Sequence, residues 1–341
     1  MTQTVQITAV EQQYLTADLD VMAELERLSK QVKFKTEIVW RNVALFAALH
    51  FGAIIGAYQL LFVAHWQTVV WTVLLYFVGA FGVTAGAHRL WSHRSFKAVL
   101  PVRIMFMLMN TMAFQNDVIE WARDHRCHHK FTDTDADPHN ARRGFFFSHV
   151  GWLLCRKHPK LKEMGKKLDM SDLYEDPVLV FQHKYYLPMV LIICFLIPTA
   201  VPRLWGESAF VAFYTAALFR YAFTLNSTWL INSAAHKFGY KPYDKNISPV
   251  ESVWTNLQAI GEGGHNFHHT FPQASPEYKE KRYRYRYMIH TDYRASEFPL
   301  TENWTRALLD ALAVFGLVYD RKTISIEAIQ RQKARMGDHG H

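Results

Sequence analysis

Charged residues are missing from long parts of the chain, and these parts organise the predicted fold. Between Arg41 and His88 there is no Lys, Arg, Asp or Glu. About 20 apolar residues in a helix cross the roughly 30 Å of hydrocarbon in a bilayer. The stretch therefore predicts a hairpin of two membrane spans, at about 42–64 and 68–87. A buried pair of soluble helices is the alternative.

A second apolar region predicts a second hairpin, with spans at about 187–206 and 208–235. Arg220 lies inside the last of these spans. A charge within a membrane is a candidate for function, and structural pairing is the alternative for Arg220.

The remaining segments are polar and basic. They are a lead-in at 1–35, two segments at 88–186 and 236–335, and a tail at 336–341. Four spans place all of these segments on one side of the membrane. The turns between spans carry one Lys or Arg residue, Arg203. The positive-inside rule assigns that side, with both termini, to the cytosol.

The predicted fold is thus an all-α integral membrane domain at 36–335, with four transmembrane helices in two hairpins under a cytosolic helical cap. Within the cap, 99–114 and 144–154 are apolar but short or broken, which indicates helices that lie in the interface. An amphipathic helix is predicted at 304–319.

Three histidine clusters lie in the polar segments of the chain, and their spacing predicts a metal site. They are His88 with His93, then His125, His128 and His129, then His265, His268 and His269. Histidines at i, i+3 and i+4 share one face of a helix. Burying so many imidazoles without partners would be costly. Eight imidazoles exceed the four ligands of a zinc site and suit two ions.

Other features of the composition narrow the chemistry of this site only slightly. Imidazole ligands leave iron, copper and zinc open. The three cysteines are scattered, so they predict neither a disulfide framework nor a thiolate metal site. A net charge of +8 is compatible with anionic lipids, anionic substrates or nucleic acid.

The words around the histidines resemble those of a known family. They are 86–93 (GAHRLWSH), 120–130 (EWARDHRCHHK), 232–236 (NSAAH) and 261–269 (GEGGHNFHH), with 137–140 and 142–146 between them. Over about 35–335 the chain resembles membrane acyl-CoA desaturases of the stearoyl-CoA type, and is most similar to insect members.

The resemblance implies a di-iron centre with two Fe²⁺ per chain. It implies His88, His93, His125, His129 and His268 as ligands of one iron, and His128, His236, His265 and His269 as ligands of the other, with Asn232 holding a metal-bound water. The histidines His139, His149, His158, His183 and His290 are expected to be structural, and His339 and His341 to belong to the tail.

The resemblance also implies a long-chain acyl-CoA substrate with its chain in a kinked tunnel. The implied contacts of the CoA end are Asn42, Asn116, Arg123, Asp124, Arg156, Lys157 and Trp229, and those at the kink are Gln115, Trp121 and Thr228. A lipid-facing basic patch is the alternative for Arg156 and Lys157. Tyr76 and Ala80 match positions that close the tunnel, and their spacing places both on one helix face.

The implied reaction is the O2-dependent introduction of a cis double bond, at carbon 9, into a saturated acyl-CoA at the endoplasmic reticulum membrane. No flavin or nicotinamide motif is present, so electrons are expected from a partner, which in the family is cytochrome b5 with its NADH-dependent reductase. A Δ11 or other regiochemistry, a hydroxylase, and a membrane metal transporter are the alternatives. A transporter would need polar residues near mid-membrane, whereas these histidines cluster at one face.

One stretch, 273–291, departs from the family pattern. It contains Tyr283-Arg284-Tyr285-Arg286-Tyr287, which alternates aromatic and basic residues. A loop on anionic lipid, stacking on single-stranded RNA and an error in gene prediction are all open. Nothing else in the chain supports RNA, so no nucleic-acid partner is expected.

Overall fold

The computed structural model describes residues 19–31, 36–271, 293–299 and 301–338, and this part of the chain is mostly helical. The helices are α1 Leu19–Gln31, α2 Trp40–Phe62, α3 Trp66–Ser92, α4 Leu100–Ala113, α5 Val118–Lys130, α6 Phe145–His149, α7 Pro159–Gly165, α8 Ser171–Tyr174, α9 Pro177–Trp205, α10 209–236, α11 Val253–Gln258, α12 His265–Thr270, α13 Trp304–Val314 and α14 Ile326–Met336. Two short strands, β1 Lys97–Ala98 and β2 Val318–Tyr319, pair antiparallel.

Three of the described helices, α2, α3 and α9, are long and apolar enough to cross a membrane. The first predicted hairpin is present as α2 and α3, and α3 continues to Ser92, past the predicted end at residue 87. Likewise α9 begins at Pro177, ten residues before the predicted start at residue 187. Polar residues interrupt both additions, so a scan for apolar residues stops short of them. The addition to α9 is also kinked at Tyr185, whose φ of −112° and ψ of 20° are not helical.

The fourth predicted span, 208–235, is one continuous helical stretch, α10, but it is not among these three helices. From its middle onward it carries the polar residues Arg220, Asn226 and Asn232, which lower its hydropathy. The buried guanidinium of Arg220 donates to the carbonyl oxygens of Met112, at 2.8 Å, and Cys194, at 2.9 Å. Structural pairing, the alternative to a direct functional role, therefore describes what Arg220 does in the fold.

Glycines bring the long helices into close contact. A Cβ at Gly56 of α2 would lie 2.0 Å from the carbonyl oxygen of Tyr214 in α10, so only glycine fits there. A Cβ at Gly82 of α3 would lie 2.2 Å from the Asn110 nitrogen in α4. Because Gly86 meets Phe106 and Gly79 meets Ala113, α4 runs antiparallel along the C-terminal half of α3.

This packing refines the prediction for 99–114. The helix is present as α4, and its 14 residues extend about 21 Å, too short to cross the hydrocarbon. It lies against α3 instead of standing alone. In the cap, 144–154 forms α6 and the 3-10 turn Gly151–Leu153.

The prediction of one helix over 304–319 is wrong at its end. Helix α13 stops at Val314, and Val318–Tyr319 turns back to pair with Lys97–Ala98 as β2. Gly316, with φ of +68°, lies in the turn between them, where its left-handed backbone favours glycine. The predicted loop 273–291, His290, and the tail histidines His339 and His341 lie outside the described residues.

Candidate metal centre and substrate cavity

The predicted histidines come from four separate segments that meet above the long helices. His88 and His93 lie at the end of α3, His236 ends α10, and the other clusters lie on α5 and α12. Helix α5 begins where the Asp117 carboxylate accepts the Glu120 backbone N–H at 3.1 Å, an N-cap.

The pair His88 and His93 depends on an unusual backbone. Residues Gly82–Ser92 form a π-helical segment, in which the hydrogen bonds join residues five apart. The His93 N–H donates to the His88 carbonyl at 3.0 Å in that way. The two ring centroids lie 4.7 Å apart, so the i, i+5 spacing places both imidazoles on one face.

The imidazoles form two groups, in each of which one nitrogen per residue lies within 4.8 Å of the others. The five-histidine group is His88, His93, His125, His129 and His268, and the four-histidine group is His128, His236, His265 and His269. Each group could hold a metal ion. The division is the one that the family resemblance implies.

The distances between facing nitrogens test whether an ion fits. Two nitrogens each about 2.1 Å from one ion are about 3.0 Å apart at a right angle and about 3.4 Å apart at the tetrahedral angle. In the five-histidine group the Nε2 atoms of His93 and His125 are 2.8 Å apart, and those of His129 and His268 are 2.9 Å apart. In the four-histidine group His236 and His265 are separated by 3.1 Å. The spacing fits ions that take more than four ligands.

The partners of the outer nitrogens decide which nitrogen faces the ion. The Nδ1 of His88 lies 3.0 Å from the Glu262 carboxylate, and that of His128 lies 2.9 Å from the Asp137 carboxylate. An ionised carboxylate can only accept a hydrogen bond, so each Nδ1 carries the N–H and each Nε2 is left with its lone pair. These lone pairs converge on one another, which is unfavourable unless a cation lies between them.

A third outer partner serves His236. Its Nδ1 lies 3.0 Å from the Ser248 hydroxyl, which in turn donates to the Asp133 carboxylate. The four-histidine group therefore has two acidic outer partners, Asp137 and, through Ser248, Asp133. The five-histidine group has one among the described residues, Glu262, which also accepts from the Arg89 guanidinium at 2.7 Å.

Burial holds the imidazoles in the form that binds metals. It lowers the pKa of His125, His129, His265, His268 and His269 well below the ordinary value, and neighbouring imidazoles add to the effect. Neutral imidazole is the ligand form. Burial alone would raise the pKa of the Asp137 and Glu262 carboxyls, but their cationic and hydrogen-bonded neighbours lower it overall, so both stay ionised.

Sequence reasoning missed these acids as parts of the site. Asp137 and Glu262 were noticed only as letters of the family words, although an acid close in sequence to a histidine ligand is a usual outer partner. His139 was expected to be structural, yet its ring centroid lies 4.3 Å from that of His128, and Asp137 lies between them. His183 and His158 pair with Asp117 and Asp135, in line with structural roles.

A cavity of about 700 Å³ leads from the N-terminal end of α2 to the histidines. Its lining includes the predicted substrate contacts Asn42, Gln115, Asn116, Trp121, Asp124, Thr228 and Trp229, and also Asn232. Phe114 and Asn116 have φ of 48° and 73°, so a left-handed turn shapes the wall here. The Gln115 amide donates to the Thr228 hydroxyl at 2.9 Å across that wall.

A smaller cavity of about 60 Å³ continues on the other side of the histidines. The two cavities share Trp121, His125, Thr228 and Asn232 in their linings, so they adjoin beside the two histidine groups. Tyr76 and Ala80 line the smaller cavity together, and the Tyr76 hydroxyl donates to the Gln258 carbonyl.

Three predicted contacts lie away from both cavities. Arg156 and Lys157 line a separate crevice near Asp135, where Arg156 pairs with Glu37 at 2.8 Å and Lys157 pairs with Asp124. Arg123 lies 3.4 Å from the Asp124 carboxylate on the surface of α5. Arg123 and Lys157 are linked to the large cavity through Asp124, which lines it, and Arg156 is linked to Glu37, just before α2.

The family model of fatty acid desaturases matches residues 64–300 of the chain. This range holds all the histidines of both groups and more than half of the chain. The chain belongs to the fatty acid desaturase family. With three helices fit to cross a bilayer, this member of the family is a multi-pass membrane protein.

Curated relatives match nearly the whole chain. The Delta(9)-fatty-acid desaturase fat-6 of Caenorhabditis elegans is 62% identical over 328 residues, 96% of this chain and 91% of the relative. The stearoyl-CoA desaturase of Homo sapiens is 53% identical over 89% of this chain and 80% of the human chain. An insect relative, the acyl-CoA Delta-9 desaturase of Acheta domesticus, is 52% identical, with coverages of 90% and 81%. The predicted resemblance to stearoyl-CoA desaturases is confirmed.

Proposed function

We propose that the chain is an acyl-CoA desaturase that introduces a cis Δ9 double bond into saturated long-chain acyl-CoA, using O2. The observation that carries this proposal is that the two cavities meet at His125 and Asn232, beside the histidine groups. A flexible chain that ran from one cavity into the other would present only a few adjacent methylenes to the metal centre. The relatives named above are Δ9 desaturases.

Two Fe²⁺ ions per chain are proposed for the two histidine groups, with the ligands assigned as the groups divide. Five nitrogens in one group exceed the four that zinc takes. Imidazole suits iron, and non-haem iron supplies the O2 chemistry that removal of hydrogen from an unactivated methylene needs. Asn232, which borders both cavities, is placed to hold a water in the four-histidine group.

The protein's own residues position the substrate. The chain would pass Asn42 and Trp229, turn between Gln115 and Trp121, and end against Tyr76. The CoA phosphates would lie at the mouth, with Arg123, Arg156 and Lys157 as donors. Because burial and apolar walls exclude water there, the reactive centre is separated from bulk solvent.

The membrane arrangement follows from the same assignment. We infer one desaturase domain over 36–335, with α10 as the fourth span beside α2, α3 and α9. Both termini and the cap would lie in the cytosol at the endoplasmic reticulum. Electrons would come from cytochrome b5 and its NADH-dependent reductase, and the basic surface of the cap suits an acidic partner.

Expression in a yeast that lacks its own desaturase tests the function. The wild-type chain is expected to restore growth without added unsaturated fatty acid, with double bonds at carbon 9 of 16- and 18-carbon chains. Double bonds at carbon 11 or hydroxylated products would replace the Δ9 assignment. If growth is not restored and the purified protein contains no iron, the assignment of the chain as a desaturase is rejected.

The same yeast tests how chain length is set. Ala80→Trp is expected to favour shorter products and Tyr76→Ala longer ones, because each buried methylene contributes roughly 0.8 kcal/mol, so two or three change selectivity by tens of fold. The ratio of 16- to 18-carbon products measures this. An unchanged ratio in both active variants would place the end of the passage elsewhere.

A further inference from the structure

A chain of hydrogen bonds crosses the protein beside the large cavity, away from the two histidine groups. The Nδ1 of His149 lies 2.9 Å from the Ser233 hydroxyl, and its Nε2 lies 3.2 Å from the Asn226 side-chain oxygen. The Asn226 amide nitrogen lies 3.1 Å from His50 Nε2, and His50 Nδ1 lies 2.7 Å from the Phe46 carbonyl oxygen. The bonds join α6 of the cap to α10 and α2.

The donor and acceptor of each hydrogen bond between His149 and Phe46 can be assigned from the atoms involved. The Phe46 carbonyl only accepts, so His50 carries its proton on Nδ1 and its Nε2 accepts from the Asn226 amide. The Asn226 oxygen then accepts from His149 Nε2. Burial lowers the pKa of His149, which keeps it neutral, and its Nδ1 lies against the Ser233 hydroxyl, which is also 2.9 Å from the Trp229 carbonyl oxygen and has one proton for the two acceptors. From His149 in the cap through Asn226 and His50 to Phe46, the bonds all point toward α2, an arrangement in which successive bonds polarise one another.

The chain of bonds wraps one side chain, Trp229. The Trp229 ring stacks on His50 with centroids 6.2 Å apart, meets His149 edge-on at 5.7 Å, and meets Phe46 edge-on at 5.6 Å. Trp229 is only 3% exposed, and it lines the large cavity. Two imidazoles and a phenyl ring thus fix the orientation of one wall of the cavity.

We propose that His50, Asn226 and His149 are positioning residues that clamp Trp229 as a rigid wall for the acyl chain. The inference rests on the proposed function, because it takes acyl-CoA as the occupant of the cavity. The clamp joins the first predicted span, the fourth predicted span and the cap at one point. Its loss would let α2 and α10 separate locally and leave the wall mobile, while the histidine groups, which the clamp does not touch, stay assembled.

A clamp of this kind affects binding more than turnover. A wall that is already ordered before the substrate arrives costs no ordering entropy on binding. Breaking it therefore raises KM, and the equilibrium Kd, for the acyl-CoA. The value of kcat changes little, since the metal centre is intact once the chain is in place.

Asn226→Leu is the main test, because it removes both central bonds at nearly constant volume. In purified protein it is expected to raise the Kd for stearoyl-CoA, and the KM, by about five- to tenfold, with kcat within about twofold of wild type. His50→Leu should act alike, whereas His50→Gln, whose amide oxygen can accept from Asn226, should raise Kd less. His183→Leu is the matched control, since His183 pairs with Asp117 at 3.1 Å outside the cavity and should leave Kd unchanged.

A double variant shows whether the clamp acts through the indole. If it does, Asn226→Leu combined with Trp229→Phe weakens binding no more than the stronger single change, a non-additive result. Additive effects, an unchanged Kd in Asn226→Leu, or a parallel fall in kcat and metal content would each overturn the clamp. Equilibrium binding separates the two proposals. If Asn226→Leu raises the Kd although the wild-type protein forms no desaturated product, only the desaturase function is rejected. If the wild-type protein forms product and Asn226→Leu leaves the Kd unchanged, only the clamp is rejected.

Discussion

The two histidine groups hold different numbers of nitrogens and different outer partners. Among the described residues, one carboxylate lies behind the five-histidine group: Glu262, which also neutralises the buried Arg89 guanidinium. The four-histidine group has Asp137 on His128 and the Ser248–Asp133 pair on His236. Within the part of the chain that the structure describes, the group with one imidazole fewer thus has more negative charge around it.

If both groups hold iron as proposed, this difference shows how one protein could hold two ions of the same element in unequal sites. A carboxylate behind an imidazole raises its basicity and fixes its orientation. On that proposal, the smaller group could keep a position open toward Asn232 and the cavity without losing its ion. The larger group relies on the number of its ligands, and the experiments below separate these two strategies.

Removing a ligand is expected to have the largest effect. His265→Ala leaves three imidazoles in the smaller group and should remove about one metal ion per chain, with product lost. His93→Ala leaves four in the larger group, so a weakly held ion should remain. Elemental analysis of the purified variants measures both. Equal metal loss from the two variants would show that ligand number does not distinguish the groups.

Removing an outer carboxylate comes next. Asp137→Asn is expected to lower metal affinity at the smaller group by roughly 10- to 100-fold, the usual cost of losing such a partner. Glu262→Gln should do the same at the larger group and also lower the melting temperature, because Arg89 loses its buried counter-charge. Asp135→Asn, in the same loop as Asp137, is the control. Chelator titrations that gave one affinity for all variants would contradict the assignment.

Acidification should weaken both groups together. The folded-state pKa of His125 and His265 lies below the unfolded value near 6.5, so below that pH the unfolded chain binds more protons than the folded one. Stability is therefore full above about pH 7 and falls progressively as the pH drops below 6.5. Thermal unfolding and metal content, measured between pH 8 and pH 5, check this. A melting temperature that rose on acidification would have the wrong sign.

Deleting 273–291 should have the smallest effect, although this segment follows the four-histidine group closely in sequence. Long surface insertions cost little closure entropy, so metal content and product are expected to stay within about twofold of wild type. Analysis of fatty acids in yeast, with protein levels matched, measures this. Selective loss of the ion from the four-histidine group would show that the segment supports His269.

Much of the site could be predicted because its signals are local. The i, i+3, i+4 histidines follow helical geometry, and charge-free stretches mark α2 and α3. His88 and His93 were recognised as a cluster, but their i, i+5 spacing does not follow α-helical geometry, and the π-helical segment that explains it was not predicted. His236 was assigned by resemblance alone, and the structure places it 3.1 Å from His265 through a tertiary contact.

The outer acids and the partners of the polar helix could not be predicted for a different reason. Glu262 is 173 residues from Arg89 in sequence, and only the fold brings the two side chains together. Helix α10 was predicted at 208–235 and lies at 209–236, but the sequence does not show which neighbours its polar side chains meet, such as the Met112 and Cys194 carbonyls that accept from Arg220. Both features depend on what surrounds a residue in space.

The buried guanidinium of Arg220 has a consequence for how the protein is made. Insertion of an isolated helix with a central arginine costs roughly 2.5–3.5 kcal/mol, so α10 is a poor candidate to enter the bilayer alone. The carbonyls that accept from Arg220 belong to α4 and α9, both synthesised earlier. If α10 crosses the membrane as proposed, its integration waits for these acceptors, and the order of synthesis becomes the order of assembly. Arg220→Leu would then insert more readily yet yield a less stable protein, because Met112 and Cys194 would lose their donor.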